Sequence, residues 1–213
     1  MEKNLTNEEI RVLGCLIEKE MATPDYYPLT LNALVNGCNQ KSNRDPVVAY
    51  DEKTVLDALD SLKKKELVWQ SNLGRVPKYE ERFTINNRFV SKESSIMCVL
   101  FLRGPQTVGE IKNRTERLHS FETLGEVNET LENLNLNNFV EQIPRQPGQK
   151  EARYNQTLCE NQKDSDTSDS TQNASQSSLM NERLEMLEDK VESLSSELAS
   201  LKQSFSNFKK QFE

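Results

Sequence analysis

Asn32, Asn36 and Asn39 fall at helical spacing, and Gln40, Lys41, Ser42, Asn43 and Arg44 follow them without a break. Asn is a poor helix former, so a helix edge built from it serves something other than helix stability. Three kinds of chemistry suit this run. Amides of Asn and Gln read adenine edges while Lys and Arg neutralise phosphates, which points to duplex DNA. The same polar set suits a protein partner. Short polar side chains also bond local backbone, so the run could instead pin its own loop. Lys64, at the end of a later helix, and Arg75 and Lys78, in the turn beyond it, would extend a basic rim around Lys41 and Arg44.

Catalytic chemistry finds few candidates. His119 is the only histidine, so no site can use two imidazoles. Cys15, Cys38, Cys98 and Cys159 are scattered, with no C-x-x-C pair, which argues against a zinc site or a disulfide framework. Cys15 precedes Leu16 and Ile17 on an apolar stripe and reads as a core thiol. No glycine pattern matches a phosphate-binding loop. Asp57, Asp60, Glu129 and Glu132 fall on helix faces expected to be solvated. The sequence therefore predicts no enzyme, no cofactor and no metal.

The elements that must position these groups repeat. VLDALDSLKKKELVWQ (55–70) aligns without gaps on VNETLENLNLNNFVEQ (127–142), matching Val55, Leu59, Leu62, Val68 and Gln70 to Val127, Leu131, Leu134, Val140 and Gln142. Capping boxes are predicted at Thr6/Glu9, Thr107/Glu110 and Thr123/Glu126, with Asp51 and Ser91 opening two more helices. Leu31, Leu34, Val35 and Cys38 form the buried stripe of the amide-edged helix. Strands are expected near Leu67–Ser71 and Tyr79–Ile85, then from Phe139 and from Glu151 to Leu158. Three helices followed by a β-hairpin, twice over, is a tandem winged-helix arrangement.

The 213-residue chain is 35% hydrophobic and 29% charged, with a net charge of −7, which is not the strongly basic balance of many nucleic-acid binders. Net charge is −2 over residues 1–86, 0 over 87–158 and −5 over 159–213, so neither unit is basic overall. Carboxylates at Asp57, Asp60, Glu129 and Glu132 would oppose phosphate if the third helices entered a groove. No segment has the apolar length of a membrane span or the pattern of a signal peptide, so a cytoplasmic protein is expected.

Residues 160–178 are rich in Ser, Asp, Gln and Asn and too polar to bury a core, so a flexible linker is expected. Beyond it, Leu184, Leu187, Val191, Leu194, Leu198, Leu201, Phe205 and Phe208 continue an unbroken heptad seam from Met180 to Phe212, predicting self-association as a homodimer, with a larger bundle left open by the bulky phenylalanines.

LGCLIEKEMATPDYYPLTLNALVNGCNQKSNRDPV (13–47), ALDSLKKKELV, RVPKYEERF, LRGPQTVGEI, RTERLHSF and IPRQPGQKEARY occur in order. Residues 5–158 thereby resemble the YceH family of bacterial proteins. The resemblance implies tandem winged helices and a dimer, and no activity. Asn155 and Gln156 stand where the family pattern has Ala and His. The expected fold is thus α+β and mostly helical. It comprises winged-helix domains at 1–86 and 87–158, a disordered linker at 159–178 and a coiled-coil helix at 179–213. The expected function is DNA binding in a regulatory or chromosome-associated role, with a protein-binding adaptor as the alternative.

Overall fold

Short polar caps start most of the helices. In the computed structural model, which describes residues 4–144 and 151–159, Thr6 opens α1 (Asn7–Ala22) with both bonds of its capping box: the Glu9 amide donates to Thr6 Oγ1 and the Thr6 amide to Glu9 Oε2. A 3-10 turn (Pro24–Tyr26) and a two-residue strand β1 (Leu29–Thr30) lead to α2 (Leu31–Cys38), capped by Thr30. Asp51 caps α3 (Glu52–Lys64), and the hairpin β2 (Val68–Ser71) and β3 (Lys78–Glu81) follows. A short α4 (Phe83–Asn86) joins α5 (Ser91–Arg103). Then come α6 (Val108–Thr115), α7 (Leu124–Leu136) and the hairpin β4 (Val140–Ile143) and β5 (Arg153–Gln156). The fold is α+β, with antiparallel sheets ordered β1-β3-β2 and β4-β5. The linker and the heptad seam, Leu184 to Phe208 included, lie outside the described residues.

The internal repeat is visible in the backbone. Glu66 and Asn138, equivalent in the aligned segments, both adopt left-handed φ, 58° and 56°. After each, an amide turns back on the helix: Leu67 N–H donates to the Leu62 carbonyl at 2.9 Å and Phe139 N–H to the Leu134 carbonyl at 2.8 Å. These are C-terminal capping turns that redirect the chain into β2 and β4.

Two local expectations need correction. The strand predicted up to Ile85 ends at Glu81, because the Glu81 carboxylate accepts the amide and hydroxyl of Thr84 and turns the chain into α4. Ser91 is the first residue of α5, as expected; Val90 precedes it at the cap position, and its amide donates to Glu93 Oε2. Glu126 reaches the Glu122 amide rather than that of Thr123, leaving half of the third capping box. Gln156 is buried, and its Oε1 accepts the amides of Leu158 and Cys159.

The described residues belong to one compact unit spanning 1–161 with a continuous core. Helices α1 and α5 cross at its centre. A glycine in mid-helix costs about 1 kcal/mol relative to alanine, and Gly14 is placed there because a β-carbon would lie 2.8 Å from Phe101 Cβ. Leu5 N–H donates to the Leu158 carbonyl at 2.8 Å, so the two ends of the unit also meet.

Where α1 meets β3, Glu20 faces Glu81 and Glu80. Burial, followed by these two carboxylates, pushes the Glu20 carboxyl up to about 7 from 4.5. The neutral form is the one the fold prefers. Its stabilisation is present below pH 4.5 and is lost as the pH rises through about 7. Glu20→Gln should therefore raise stability at pH 8, on the order of 1 kcal/mol given the half-exposed site, and change little at pH 4. Thermal unfolding of both proteins at the two pH values checks this; equal differences would remove the carboxylate repulsion.

Candidate functional site

The polar run divides into two populations. One faces inward. Arg44 was expected on a phosphate-binding rim, but its side chain is fully buried. Its Nη2 and Nη1 donate to the two carboxylate oxygens of Glu18 at 2.7 and 3.0 Å, a bidentate pair. Nε and Nη2 also donate to the Gly37 carbonyl, Nη1 to the Asn43 carbonyl, and Nη2 approaches Cys15 Sγ at 3.5 Å. Burial raises the Glu18 carboxyl, and Arg44 more than offsets this, so it lies below its ordinary range. Every donor of Arg44 with a partner points into the protein, so the side chain is a clamp and does not contribute to a surface.

Asn39 is also committed. Its Nδ2 donates to the Tyr50 carbonyl and its Oδ1 accepts the Tyr50 amide, both at 2.8 Å, which closes the base of the 39–50 loop. Asn43 takes a left-handed φ of 59°, and its Oδ1 accepts from Arg103 on α5. Arg11 donates to the Pro46 carbonyl at 2.6 Å, and the Asp45 amide to the Leu102 carbonyl at 2.9 Å. For these residues the loop-pinning chemistry is the one observed. The loop ties α1 and α2 to α5, joining the two repeats.

The other population faces solvent. Asn32, Asn36, Lys41, Lys64, Arg75 and Lys78 are exposed and Gln40 is half-exposed. None of these seven side chains has a hydrogen bond or ion pair among the described residues. Other bases are occupied: Lys63 meets Asp60 at 2.8 Å and Gln70 at 2.7 Å, and Lys65 meets Glu9 at 2.7 Å. Seven of the ten predicted residues, Arg75 among them, thus present their side chains to solvent, while Asn39, Asn43 and Arg44 are committed to the loop.

The hairpin β2–β3 carries a feature absent from the predicted set. Trp69 pairs with Glu80 and Ser71 with Lys78, so these side chains share one sheet face, and Leu73 and Val76 lie in the bend beyond the last pair. Val68 and Tyr79 on the opposite face are buried. Leu73 is 100% exposed and Trp69 and Val76 are each 58% exposed. On α3, Leu56 is exposed along with Asp57 and Asp60; on α7, Leu124 and Leu136 are exposed along with Glu129 and Glu132.

No group of three or more His, Cys, Asp or Glu side chains among the described residues is placed to hold a metal ion. His119 lies edge-on to Phe121 and 3.9 Å from Glu126. A groove of about 320 Å³ between α6, α7 and the second hairpin is lined by Val108, Leu124, Asn128, Gln142, Glu151 and Tyr154 among others, a mixed surface without a nucleophile–base pair. No helix among the described residues is long and apolar enough to cross a membrane.

Fold and clamp together define a class: an α+β chain in which one buried Arg–Glu pair and a pinned loop hold two helices-and-hairpin repeats together. The chain belongs to the family described as protein of unknown function DUF480, whose model matches residues 5–149. It is similar to UPF0502 proteins: that of Solibacter usitatus is 53% identical over 160 residues, covering 75% of this chain and 78% of the relative. That of Geobacter sulfurreducens is 51% identical, covering 75% and 74%, and that of Aliivibrio salmonicida is 48% identical, covering 71% and 72%. YceH is a member of the same family, so the resemblance drawn from the motifs holds.

Proposed function

We propose that this is a cytoplasmic, non-enzymatic tandem winged-helix protein that works as an adaptor. It binds a protein partner through the outward faces of its first hairpin and of α3, and self-associates through the heptads of residues 179–213. The observation that carries this reading is the exposure of Trp69, Leu73 and Val76 on the first hairpin and its turn. Three large apolar side chains exposed within one short hairpin are the kind of surface that partners cover. Tryptophan is enriched among residues that dominate protein interfaces. The carboxylates exposed on α3 and α7 fit the same reading, since they would repel phosphates in a DNA groove.

DNA is the second reading, favoured by the exposed and unpaired Lys41, Lys64, Arg75 and Lys78. Fluorescence anisotropy of the full chain with mixed-sequence duplex DNA, from low to physiological salt, separates the two. The adaptor reading expects at most weak binding that is gone at physiological salt. Tight binding with a steep salt dependence, lost when those four cations are changed to alanine, would favour DNA.

A further inference from the structure

The second repeat holds a groove that the adaptor reading, which rests on the first, leaves unused. It runs between α6, α7 and the second hairpin, and Gly109, the second residue of α6, is part of its lining. Glycine in a helix is less stable than alanine, so its place there needs a reason. Gly14 has one in the α1–α5 crossing. Gly109 has none within the chain, because a β-carbon there would meet no atom within 4 Å. The first repeat shows what can stand at this position. Leu29 pairs with Tyr79 just before the cap Thr30, and Gln106 pairs with Tyr154 just before the cap Thr107, so the repeats align here residue by residue. Asn32 is then the counterpart of Gly109. Tyr79 is buried, while Tyr154 is half-buried and lines the groove. The second repeat is open where it carries no side chain.

The lining is apolar at Val108, Leu124 and the Tyr154 ring, and polar at Asn128, Gln142 and Glu151. Glu151 is exposed and has no hydrogen bond or ion pair among the described residues. The cation two residues on, Arg153, is committed elsewhere: its Nη1 donates to the Pro105 carbonyl at 2.9 Å and to Glu110 at 3.0 Å. The first residues of α6 and α7, Val108 and Leu124, also line the groove, but each helix start already carries a carboxylate. Glu110 accepts the Thr107 amide and Glu126 the Glu122 amide, which offsets the positive helix ends. The uncompensated charge of the groove is therefore negative.

We propose that this groove is a binding site for an arginine side chain presented by another protein. The methylene stem packs on Val108 and Leu124, as the stems of long cationic side chains do on apolar surface. The guanidinium plane stacks on the Tyr154 ring and forks to the Glu151 carboxylate, with the Asn128 and Gln142 amide oxygens as further acceptors. Lysine fits less well, since a single ammonium neither stacks nor forks. A volume of about 320 Å³ is at the small end of ligand pockets, which suits one side chain rather than a folded element. The missing β-carbon of Gly109 lets that side chain approach the α6 backbone.

The test records amide spectra by nuclear magnetic resonance on the full chain. It is titrated with Nα-acetyl-arginine N-methylamide, with the citrulline analogue of the same shape and no charge, with free arginine and with inorganic phosphate. The expected result is a saturable shift of the Gly109, Ala152 and Tyr154 amides with the blocked arginine. The citrulline analogue, and the blocked arginine on Glu151→Gln, should each bind about fivefold more weakly, the scale of one exposed ion pair. Gly109→Leu should abolish the saturable shift without lowering the unfolding temperature, since the space around the new side chain is open. No saturable shift at these amides, equal binding of the citrulline analogue, or tighter binding of free arginine than of the blocked form would overturn the proposal. So would phosphate moving the same amides, which would make the groove an anion site. Trp69, Leu73 and Val76 do not line the groove, so none of these outcomes bears on the hairpin reading.

Discussion

Arg44→Ala should remove roughly 3–5 kcal/mol of stability, enough to unfold much of the population of an ordinary domain under mild denaturant. The loss has named parts. Glu18 keeps its charge in a site that is 14% exposed at the side chain and loses its bidentate partner. The Gly37 and Asn43 carbonyls lose their guanidinium donors. Lysine does not restore the site, since a single ammonium cannot span a carboxylate and two carbonyls in a fork. The combination of Arg44→Met with Glu18→Leu should recover much of the loss, because a buried pair replaced as a whole leaves no uncompensated charge. Urea titration followed by circular dichroism measures all three variants. An Arg44→Ala midpoint within error of wild type would show that the pair contributes nothing.

Gly14→Val carries the second large effect. Its β-carbon would meet Phe101 Cβ at 2.8 Å and Leu102 Cδ2 at 3.0 Å, and Phe101 Cβ is fixed to the α5 backbone. Helices α1 and α5 must separate, and overpacking of this kind typically costs about 1–3 kcal/mol. The branched side chain adds two methyls where even the first carbon has no room. Helix propensity points the other way, since nearly any residue is a better helix former than glycine in mid-helix. Stabilisation by Gly14→Val would show that the close crossing is not what selects glycine. The expected outcome is a lower urea midpoint together with weakened protection of α1 and α5 amides in hydrogen exchange, because the crossing joins the first repeat to the second.

Local chemistry was legible in the sequence, and three-dimensional pairing was not. Thr6, Asp51 and Thr107 each cap the helix their spacing predicts, because a cap needs only its own next three residues. The gapless alignment of 55–70 on 127–142 foretold two equivalent helix-to-strand turns, and Glu66 and Asn138 make them. Arg44 was misread because its partner, Glu18, lies 26 residues away on another helix. A basic residue in a polar loop reads as surface unless the acid opposite is known to lean inward. Asn39 looks identical to Asn32 and Asn36 by spacing; only the return of the chain at Tyr50 distinguishes it. The hairpin face went unnoticed for a related reason. Trp69, Leu73 and Val76 are apolar by type, and whether such residues of a hairpin are covered depends on what packs against it.

Clamp and hairpin face assign different tasks to neighbouring parts of the first repeat. Arg44, Asn39 and Asn43 fix the loop that joins the repeats, and the exposed hairpin is the surface proposed to meet the partner. The adaptor claim is tested most directly by placing a photo-crosslinking benzophenone amino acid at Leu73 in the full chain and irradiating it in living cells. The account predicts a discrete adduct between this chain and another protein, lost when Trp69 is changed to serine in the same chain. An adduct with nucleic acid in its place, or a protein adduct indifferent to Trp69, would contradict it.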